Sequence, residues 1–479
     1  MRLEFLGLKK ILILLMWLLP GSLMWLSCGG STPSSAAKTS GLKYRAFISN
    51  SVSAGSLSAG VYIVNAEDDL RGTASAVSAG NSPGMMVVTP NLAQTLVFSG
   101  NGTQSSDNQF SIISNATESN AAHLALPGMT ESFVVSPDSA TAYVALPTAP
   151  VIGQSPGFVE AIALGSGSVS GQVGVPAVHY LSIDNGGNRI LGFSDNSDYV
   201  SVITPSQIGI GNAVTTIGGP SIFDRPVTAF FSSDDTTAWV LSCGAECGGS
   251  QASLEQYSFA SNSVVASVPL CTTDQSNNTQ CSGSVALING STMYVAGTPY
   301  SPAGDPSLLC PAGTTMAQYC GQLLIVNLSN MSVTNAAPII ITDGYHNRIA
   351  LGPNGQLFIG ARTCTEIIAP VPPPAGAEVR GCLSIYNTLT NAVGTNPAGG
   401  VLVPPENGDV TGLQPISVRG SNMPQYVVYV IQGQGVPQGG SLFIYDTTID
   451  ALENNPNNTN NPGQIFGLVG NFVDVKTVD

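Results

Sequence analysis

The chain has 479 residues, a formal net charge of −15 and only 9% charged residues. An acidic surface repels phosphate backbones, so the composition argues against nucleic acid as a partner. The 54 glycines and 32 prolines provide many turns and leave little room for long solvated helices, which favours an all-β fold.

The N-terminus has the pattern of an export signal. Basic residues precede an apolar run from Ile11 to Leu26, which is short and is interrupted by Pro20-Gly21, so it suits a signal peptide better than a membrane span. The Leu26-Ser27-Cys28 ending resembles the lipobox of bacterial lipoproteins. The resemblance implies that Cys28 is acylated and becomes the new N-terminus, whereas an ordinary signal peptide cleaved nearby is the alternative.

These features divide the chain into a lipoprotein-type signal peptide over residues 1–27, a flexible tether of small polar residues over 28–43, and a folded domain over 44–479. We therefore expect an exported protein of the bacterial cell envelope, periplasmic or on the outer surface, that is held to the membrane by a lipid at Cys28. We expect the folded domain to be a monomer.

Nine cysteines are present, and setting Cys28 aside leaves an even number, as expected for disulfides in an oxidising compartment. We predict that neighbours pair in sequence order, because each bond would then staple one local loop: Cys243 with Cys247, Cys271 with Cys281, Cys310 with Cys320, and Cys364 with Cys382. Zinc is the competing interpretation of the Cys-x-x-x-Cys motif, but no histidine lies nearby in sequence. No metal or other cofactor is predicted.

A motif of two apolar strands joined by a tight turn recurs along the chain. Its clearest copy is FVVSPDSATAYVAL, from Phe133 to Leu146. Successive turns carry an Asp or Asn at spacings of 47, 47, 49, 55 and 65 residues: Asn91, Asp138, Asn185, Asp234, Asn289 and Asn354. A period in the forties with four short strands per unit is typical of a β-propeller blade.

The motif SPDSATAYVA, with echoes in TPNLAQTLVFSG and SSDDTTAWVL, resembles the YVTN-type β-propeller repeat, which also occurs in lactonase-like propellers. The resemblance covers the chain from about Tyr44 to the C-terminus and implies a single propeller. It implies a fold more than a function, because function resides in sites that differ between members of one fold.

The pairs formed by the second and third strands of each unit, strands B and C, predict eight blades, with seven as the alternative. The first unit lacks an inner strand A, and the last unit is followed by a spare strand from Phe472 to Val478. We predict that this strand becomes the innermost strand of the first blade, which closes the ring and leaves no bare sheet edge.

In propellers of this kind the A–B and C–D turns lie on one face and the B–C and D–A connections on the other. The B–C connections lengthen late in the chain, and all four predicted disulfides fall on their face. Elaborated loops on a rigid scaffold favour binding, and disulfides reduce the entropy that such loops lose when a ligand orders them. Resistance of long loops to proteolysis is the alternative reason for the disulfides.

Residues just before each strand A should face the mouth of the central channel on that same side. The candidates for ligand binding are His179, Asp224, Arg225, His346 and Arg348. Two imidazoles and two guanidiniums around a channel could bind an anionic or carbonyl-bearing ligand, or hold a metal. The alternative is structural: each side chain would bond the backbone of a neighbouring blade or pair with Asp224 or Asp343.

Other polar features point to ordinary surface. His123 falls on an outer strand D and is expected to be exposed. The acidic stretches Glu67-Asp68-Asp69 and Asp195-Asn196-Ser197-Asp198 lack the spacing and the terminal glutamate of a calcium loop, so we expect solvated turns. No Gly-x-Ser-x-Gly, His-Glu-x-x-His, Walker or dinucleotide-binding motif is present, and no catalytic residue is predicted.

Two functions of different classes fit these features. The first is a binding or scaffold propeller that presents its disulfide-stapled face to a protein, peptide or glycan. The second, implied by the resemblance alone, is a lactonase-like hydrolase that acts on a small anionic or lactone substrate at the channel mouth. The lack of catalytic motifs favours the first.

Overall fold

Short runs of β-branched, aromatic and aliphatic residues, separated by Asn, Asp, Gly and Ser, form strands and tight turns throughout the described part of the chain. In the computed structural model, Ser40–Asp479 form one compact unit. The structure describes residues 39–479 except for 52–57, 73–75, 101–107, 274–278, 300–320, 336–338, 365–377, 390–391, 394–407, 417–425, 434–439, 450, 454, 456–462, 466–467 and 469.

The strands form eight antiparallel sheets arranged as the blades of an eight-bladed β-propeller, which confirms the predicted fold and excludes seven blades. The strands are given below from strand A, at the channel, to strand D, at the rim.

The first four blades are Phe472–Thr477, Arg45–Asn50, Gly60–Asn65 and Leu70–Arg71 (blade 1); Pro83–Val88, Gln94–Ser99, Gln109–Ser114 and Ser119–Ala125 (blade 2); Phe133–Val135, Thr141–Leu146, Phe158–Ala163 and Ser168–Gly174 (blade 3); and Val178–Ile183, Ile190–Ser194, Tyr199–Ile203 and Val214–Gly218 (blade 4).

The next four are Pro226–Phe231, Thr237–Ser242, Ser253–Ser258 and Ser263–Pro269 (blade 5); Val285–Asn289, Thr292–Gly297, Gly321–Asn327 and a two-part strand D, Ser332–Val333 and Ile339–Ile341 (blade 6); Tyr345–Leu351, Gln356–Arg362, Leu383–Asn387 and the outer Glu378–Arg380 and Ala392–Val393 (blade 7); and Val410–Ile416, Val427–Gly433, Gly440–Asp446 and Ala451–Leu452 (blade 8). A hairpin of Cys271–Thr273 and Thr279–Cys281 and two 3-10 turns, Pro205–Gln207 and Gly244–Cys247, complete the described elements.

The apolar core consists of eight clusters among the described residues, and each cluster lies between two neighbouring blades. Both faces of a central strand are therefore covered, which explains the nearly continuous burial of Thr141–Leu146. One cluster joins Ile48 and Tyr62 of blade 1 to Tyr429 and Ile444 of blade 8. An open row of eight blades would have only seven such interfaces, so the packing itself closes the ring.

The C-terminal strand closes blade 1 as predicted. Ile48 of strand B pairs with Val475 of strand A in an antiparallel register. Next to this seam, the Arg45 guanidinium donates hydrogen bonds to Asp479 at 2.9 Å and to Glu118 at 3.0 Å. These contacts join the beginning of the domain, its end and the neighbouring blade 2.

The A–B and C–D turns form one face of the propeller, the turn face, and the B–C and D–A connections form the other, the loop face. The turn face is regular. Asp138 accepts hydrogen bonds from Ser136 Oγ at 2.5 Å and from the Ala140 N–H at 3.0 Å, and Asp234 occupies the same place in blade 5. These Asx turns give blades 3 and 5 the same local geometry.

The loop face carries the disulfides. Cys243–Cys247, Cys271–Cys281 and Cys364–Cys382 are bonded as predicted, while Cys310 and Cys320 lie outside the described residues. Disulfides indicate an oxidising, exported environment. No helix in the described part of the chain has the length and apolarity needed to cross a membrane.

Candidate ligand-binding site at the channel mouth

The central channel contains a cavity of about 550 Å³ near the loop face, called the channel cavity, to which blades 1 to 7 all contribute residues. A second cavity of about 290 Å³, the side cavity, is lined by His179, Asp195 and Arg225 among others. Tyr180 and Tyr345 line both cavities and therefore lie between them.

A β-bulge near the loop-face end of strand A recurs in blades 1, 2, 4, 5, 7 and 8. A bulge inserts one unpaired residue and re-aims the side chains next to it. The extra residue is His179 in blade 4 and Asn347 in blade 7. His179 therefore corresponds to Asn347, and His346 lies one place earlier along its strand.

His346 is completely buried and lines neither cavity. Burial lowers the pKa of its imidazole to about 4, a change that the backbone of Thr342 opposes only in part. Its main-chain oxygen accepts a hydrogen bond from Ser284 Oγ at 3.1 Å, which joins blade 7 to blade 6. The sequence predicted that His346 faces the channel mouth. Strand alternation, offset by the bulge, instead directs its side chain away from the mouth.

His179 lines the side cavity between two carboxylates. Its Nδ1 lies 2.8 Å from Asp195 Oδ1 and its Nε2 lies 3.4 Å from Glu131 Oε2. The ring stacks on Tyr180 with a centroid separation of 4.3 Å. Burial alone lowers the pKa of His179, but the interactions with Glu131 and Asp195 outweigh it and raise the pKa above its ordinary value. The imidazole therefore favours its charged form.

Asp224 and Arg225 hold neighbouring loops. The Asp224 carboxylate accepts hydrogen bonds from the backbone N–H groups of Ser250 and Gln251, both at 2.8 Å, and so fixes the loop that follows the Cys243–Cys247 disulfide. Arg225 lines the side cavity and forms an ion pair of 3.3 Å with Asp198. Its charge is thus already compensated within the protein.

Two arginines of blade 7 line the channel cavity without a carboxylate partner. Arg348 donates from Nε to the Thr411 carbonyl oxygen at 2.8 Å and from Nη1 to the Asn347 carbonyl oxygen at 3.0 Å. Arg362, which the sequence analysis did not single out, has a buried Nε with no hydrogen-bond partner. Within the described ranges neither guanidinium forms an ion pair.

The surroundings of Arg348 lower the pKa of its guanidinium and so disfavour its charged form. Burial lowers the pKa of this guanidinium, Asp474 raises it and the nearby Arg362 lowers it again, with a net result below the ordinary value. Asp474 is itself occupied, because it accepts hydrogen bonds from the Met86 N–H and from Lys476 Nζ, both at 2.8 Å. An anion in the cavity would raise the pKa of Arg348 and so favour its charged form.

Tyr180 and Tyr345 meet between the two cavities, with their hydroxyl oxygens 3.1 Å apart. Burial raises the pKa of both phenols, so both remain neutral hydrogen-bond donors. This pair of tyrosines was not predicted from the sequence, although the direction of Tyr345 was predictable. Tyr345 precedes His346 on the same strand, and neighbouring side chains of a strand point to opposite sides.

Polar side chains also join the inner strands of neighbouring blades. Ser132 Oγ accepts a hydrogen bond from the Leu181 N–H at 3.0 Å, and Ser182 Oγ accepts one from the Ala229 N–H at 3.2 Å. The bond between Arg348 and Thr411 is of the same kind, as the structural alternative for Arg348 predicted. Such bonds hold the channel wall in place before any ligand arrives.

The remaining polar candidates form no further site. His123 is exposed on strand D of blade 2, as expected. Asp195 and Asp198 of the second acidic stretch pair with His179 and Arg225. No group of three His, Cys, Asp or Glu side chains that could hold a metal ion occurs among the residues that the structure describes.

No protein-family model and no curated protein matches the chain. Solved structures do match. The dihydro-heme d1 dehydrogenase NirN in complex with DHE is 12% identical, with 91% of this chain and 75% of that chain covered and a TM-score of 0.52. A structure described as the eukaryotic initiation factor is 10% identical over 91% of this chain and 98% of that chain, with a TM-score of 0.50.

The periplasmic gluconolactonase PpgL of Pseudomonas aeruginosa is also similar, at 14% identity over 67% of this chain and 92% of that chain, with a TM-score of 0.44. The chain shares its fold with the two structures whose TM-scores are 0.52 and 0.50. Their varied functions and low identities mean that the likeness concerns the fold alone.

Proposed function

We propose that the protein is an exported binding propeller that holds a small organic anion in the channel cavity near its loop face. The observation that carries this proposal is the presence of Arg348 and Arg362 on one cavity wall with no carboxylate partner among the described residues. Guanidiniums suit carboxylate and phosphate groups, and an ion pair is stronger in a partly desolvated cavity than in water. A volume of about 550 Å³ lies within the range of small-molecule sites.

The test is a thermal-shift screen with citrate, glutarate and benzoate, followed by calorimetric titration of the best anion. We expect Arg362→Gln to weaken binding of the anion at least tenfold, because it removes a positive charge while a polar side chain still lines the cavity. Arg71→Gln, on the exposed outer strand of blade 1, is the matched control and should bind like wild type. Equal affinity in the Arg362→Gln variant would refute the proposal.

The proposal includes the lipid anchor at Cys28 and the kinship with YVTN-type repeats. The position where the chain enters the propeller supports an anchored module: Ser40 Oγ donates a hydrogen bond of 2.5 Å to Glu118 on the turn face. Replacing Cys28 with Ala should remove a lipid-sized mass from the purified protein, and an unchanged mass would exclude the anchor.

A lactonase-like hydrolase is the second candidate, favoured by the pairing of His179 with Asp195 at 2.8 Å beside the side cavity. An acid that orients an imidazole is common in hydrolytic sites. The raised pKa of His179 argues against this role, because it reduces the population of the neutral, basic form of the imidazole. Release of acid from γ-butyrolactone or δ-gluconolactone that disappears in the His179→Ala variant would establish the hydrolase.

A further inference from the structure

The channel cavity has walls of different chemistry. Blade 7 contributes Asn347, Arg348 and Arg362, whereas blades 2 and 3 contribute Met85, Phe98 and Met129. In a ring of eight, blades 3 and 7 are four places apart and therefore face each other across the channel. A charged wall thus faces a wall with apolar side chains.

Polar groups on the other walls are already occupied within the protein. Thr130 Oγ1 donates to the Ser132 carbonyl oxygen at 2.9 Å, and Ser132 Oγ accepts from a backbone N–H of blade 4. Ser284 Oγ bonds the backbone of blade 7. Glu131 is the exception, because its side chain is 59% exposed although its carboxylate lies 3.4 Å from His179. A ligand therefore meets mainly methylene, thioether and aromatic groups on the side of blades 2 and 3.

Polar groups on blade 7 remain available. Besides the two guanidiniums, the side-chain oxygen of Asn347 is buried and has no hydrogen-bond partner. Arg348 is held by carbonyl oxygens through Nε and Nη1, which leaves Nη2 free of any described partner. The donors of two guanidiniums and one amide acceptor are thus concentrated on a single wall.

We infer, on the basis of the proposed function, that the ligand is an amphiphilic monoanion whose acidic group contacts Arg348 and Arg362 and whose apolar body packs against Met85, Phe98 and Met129. A second acidic group would lie against the apolar wall and lose its hydration without compensation. An aryl or branched alkyl carboxylate meets both requirements. A short dicarboxylate does not.

The test is calorimetric titration of the purified mature protein with 4-phenylbutyrate, butyrate, glutarate and 4-phenylbutylamine. We expect 4-phenylbutyrate to bind at least tenfold more tightly than butyrate or glutarate, and the amine not to bind. Met129→Gln keeps the length of the side chain but makes it polar, so it should weaken 4-phenylbutyrate at least fivefold. Met331→Gln, in a turn outside the cavity, is the matched control and should have no effect.

The outcomes separate the inference from the proposal on which it rests. If glutarate binds at least as tightly as 4-phenylbutyrate, and Arg362→Gln binds neither, the inference of an amphiphilic ligand is wrong but the proposed anion site is supported. Binding of the amine as tight as that of the acid would overturn the role of the arginine pair. Failure of every anion to bind, or binding insensitive to Arg362→Gln, would overturn both.

Discussion

The turn face and the channel cavity near the loop face are parts of one propeller, yet they differ in how their arginines are compensated. On the turn face, Arg45 is bound by Asp479 and Glu118. Near the loop face, Arg348 and Arg362 have no described carboxylate partner. The contacts of Arg45 hold the ring together, whereas the proposed function assigns the two arginines of the channel cavity to a ligand.

The largest effect should come from breaking the ring. Deleting residues 472–479 removes strand A of blade 1 together with the buried Phe472 and Val475. It exposes the edge of strand B and one side of two blade interfaces, so we expect no soluble folded protein. Size-exclusion chromatography and circular dichroism measure this outcome. Deleting Asp479 alone is the control and should leave a folded monomer, while a folded truncated protein would contradict ring closure.

Buried ionisable groups away from the turn face should make stability depend on pH. Glu255 is 3% exposed, and burial raises the pKa of its carboxyl to about 7. A raised folded-state pKa contributes stability that is present below the unfolded value of about 4.5 and is lost as the pH rises through about 7. We expect Glu255→Gln to remove this loss and to gain up to about 3 kcal/mol over wild type at pH 8.

Urea unfolding at several pH values measures the Glu255 effect. Asp138→Asn on the turn face is the comparison, because hydrogen bonds lower the pKa of Asp138 and its contribution changes only in acid. It should leave the pH profile between 4.5 and 8 unaltered. A Glu255→Gln profile parallel to that of wild type would show that the carboxyl is not responsible.

His346 should produce the opposite dependence. Its folded-state pKa of about 4 lies below the ordinary value of 6.5, so the neutral form stabilises the fold above pH 6.5 and this contribution is lost as the pH falls toward 4. The loss should amount to about 3 kcal/mol, because the side chain is fully buried. His346→Gln should abolish the loss of stability that wild type shows as the pH falls from 6.5 toward 4. The His123→Gln variant, changed on an exposed strand, should retain this loss of stability in acid.

The same Arg→Gln substitution, made at Arg45 and at Arg362, compares the two regions through smaller changes in stability. Arg45→Gln leaves two carboxylates without their partner and should lower the free energy of unfolding by about 2 kcal/mol. Arg362→Gln removes an unpaired charge that repels Arg348, so stability should change by less than about 0.5 kcal/mol. Chemical denaturation of both variants decides this. An Arg362→Gln variant as destabilised as Arg45→Gln would mean that Arg362 has a structural role.

Repetition made the fold predictable from the sequence. The turn residues from Asn91 to Asn354 mark successive blades, and the surplus strand beginning at Phe472 predicts how the ring closes. Local pairing of cysteines was likewise predicted for the three described disulfides, because each bond spans a short loop. These features depend on local spacing, which the sequence displays directly.

The site was predictable only in part, because a single bulged residue changes which side chains face the channel. Arg348 was expected at the mouth and lines the cavity, but His346 is buried two residues before it. Arg362 was missed because it lies at the end of strand B, whereas the candidates were sought before strand A. Strand alternation next to His346 indicates only that Tyr345 faces the opposite side. Its contact with Tyr180 joins blades 4 and 7, and spacing within one strand does not reveal that contact.

A crystal structure with 4-(4-bromophenyl)butyrate tests the central claim most directly, because anomalous scattering locates the bromine independently of the refined ligand. We predict a bromine peak in the channel cavity beside Met129 and Phe98, with the carboxylate bonded to Arg348 and Arg362. A bromine peak outside that cavity, or a carboxylate directed away from blade 7, would contradict the claim.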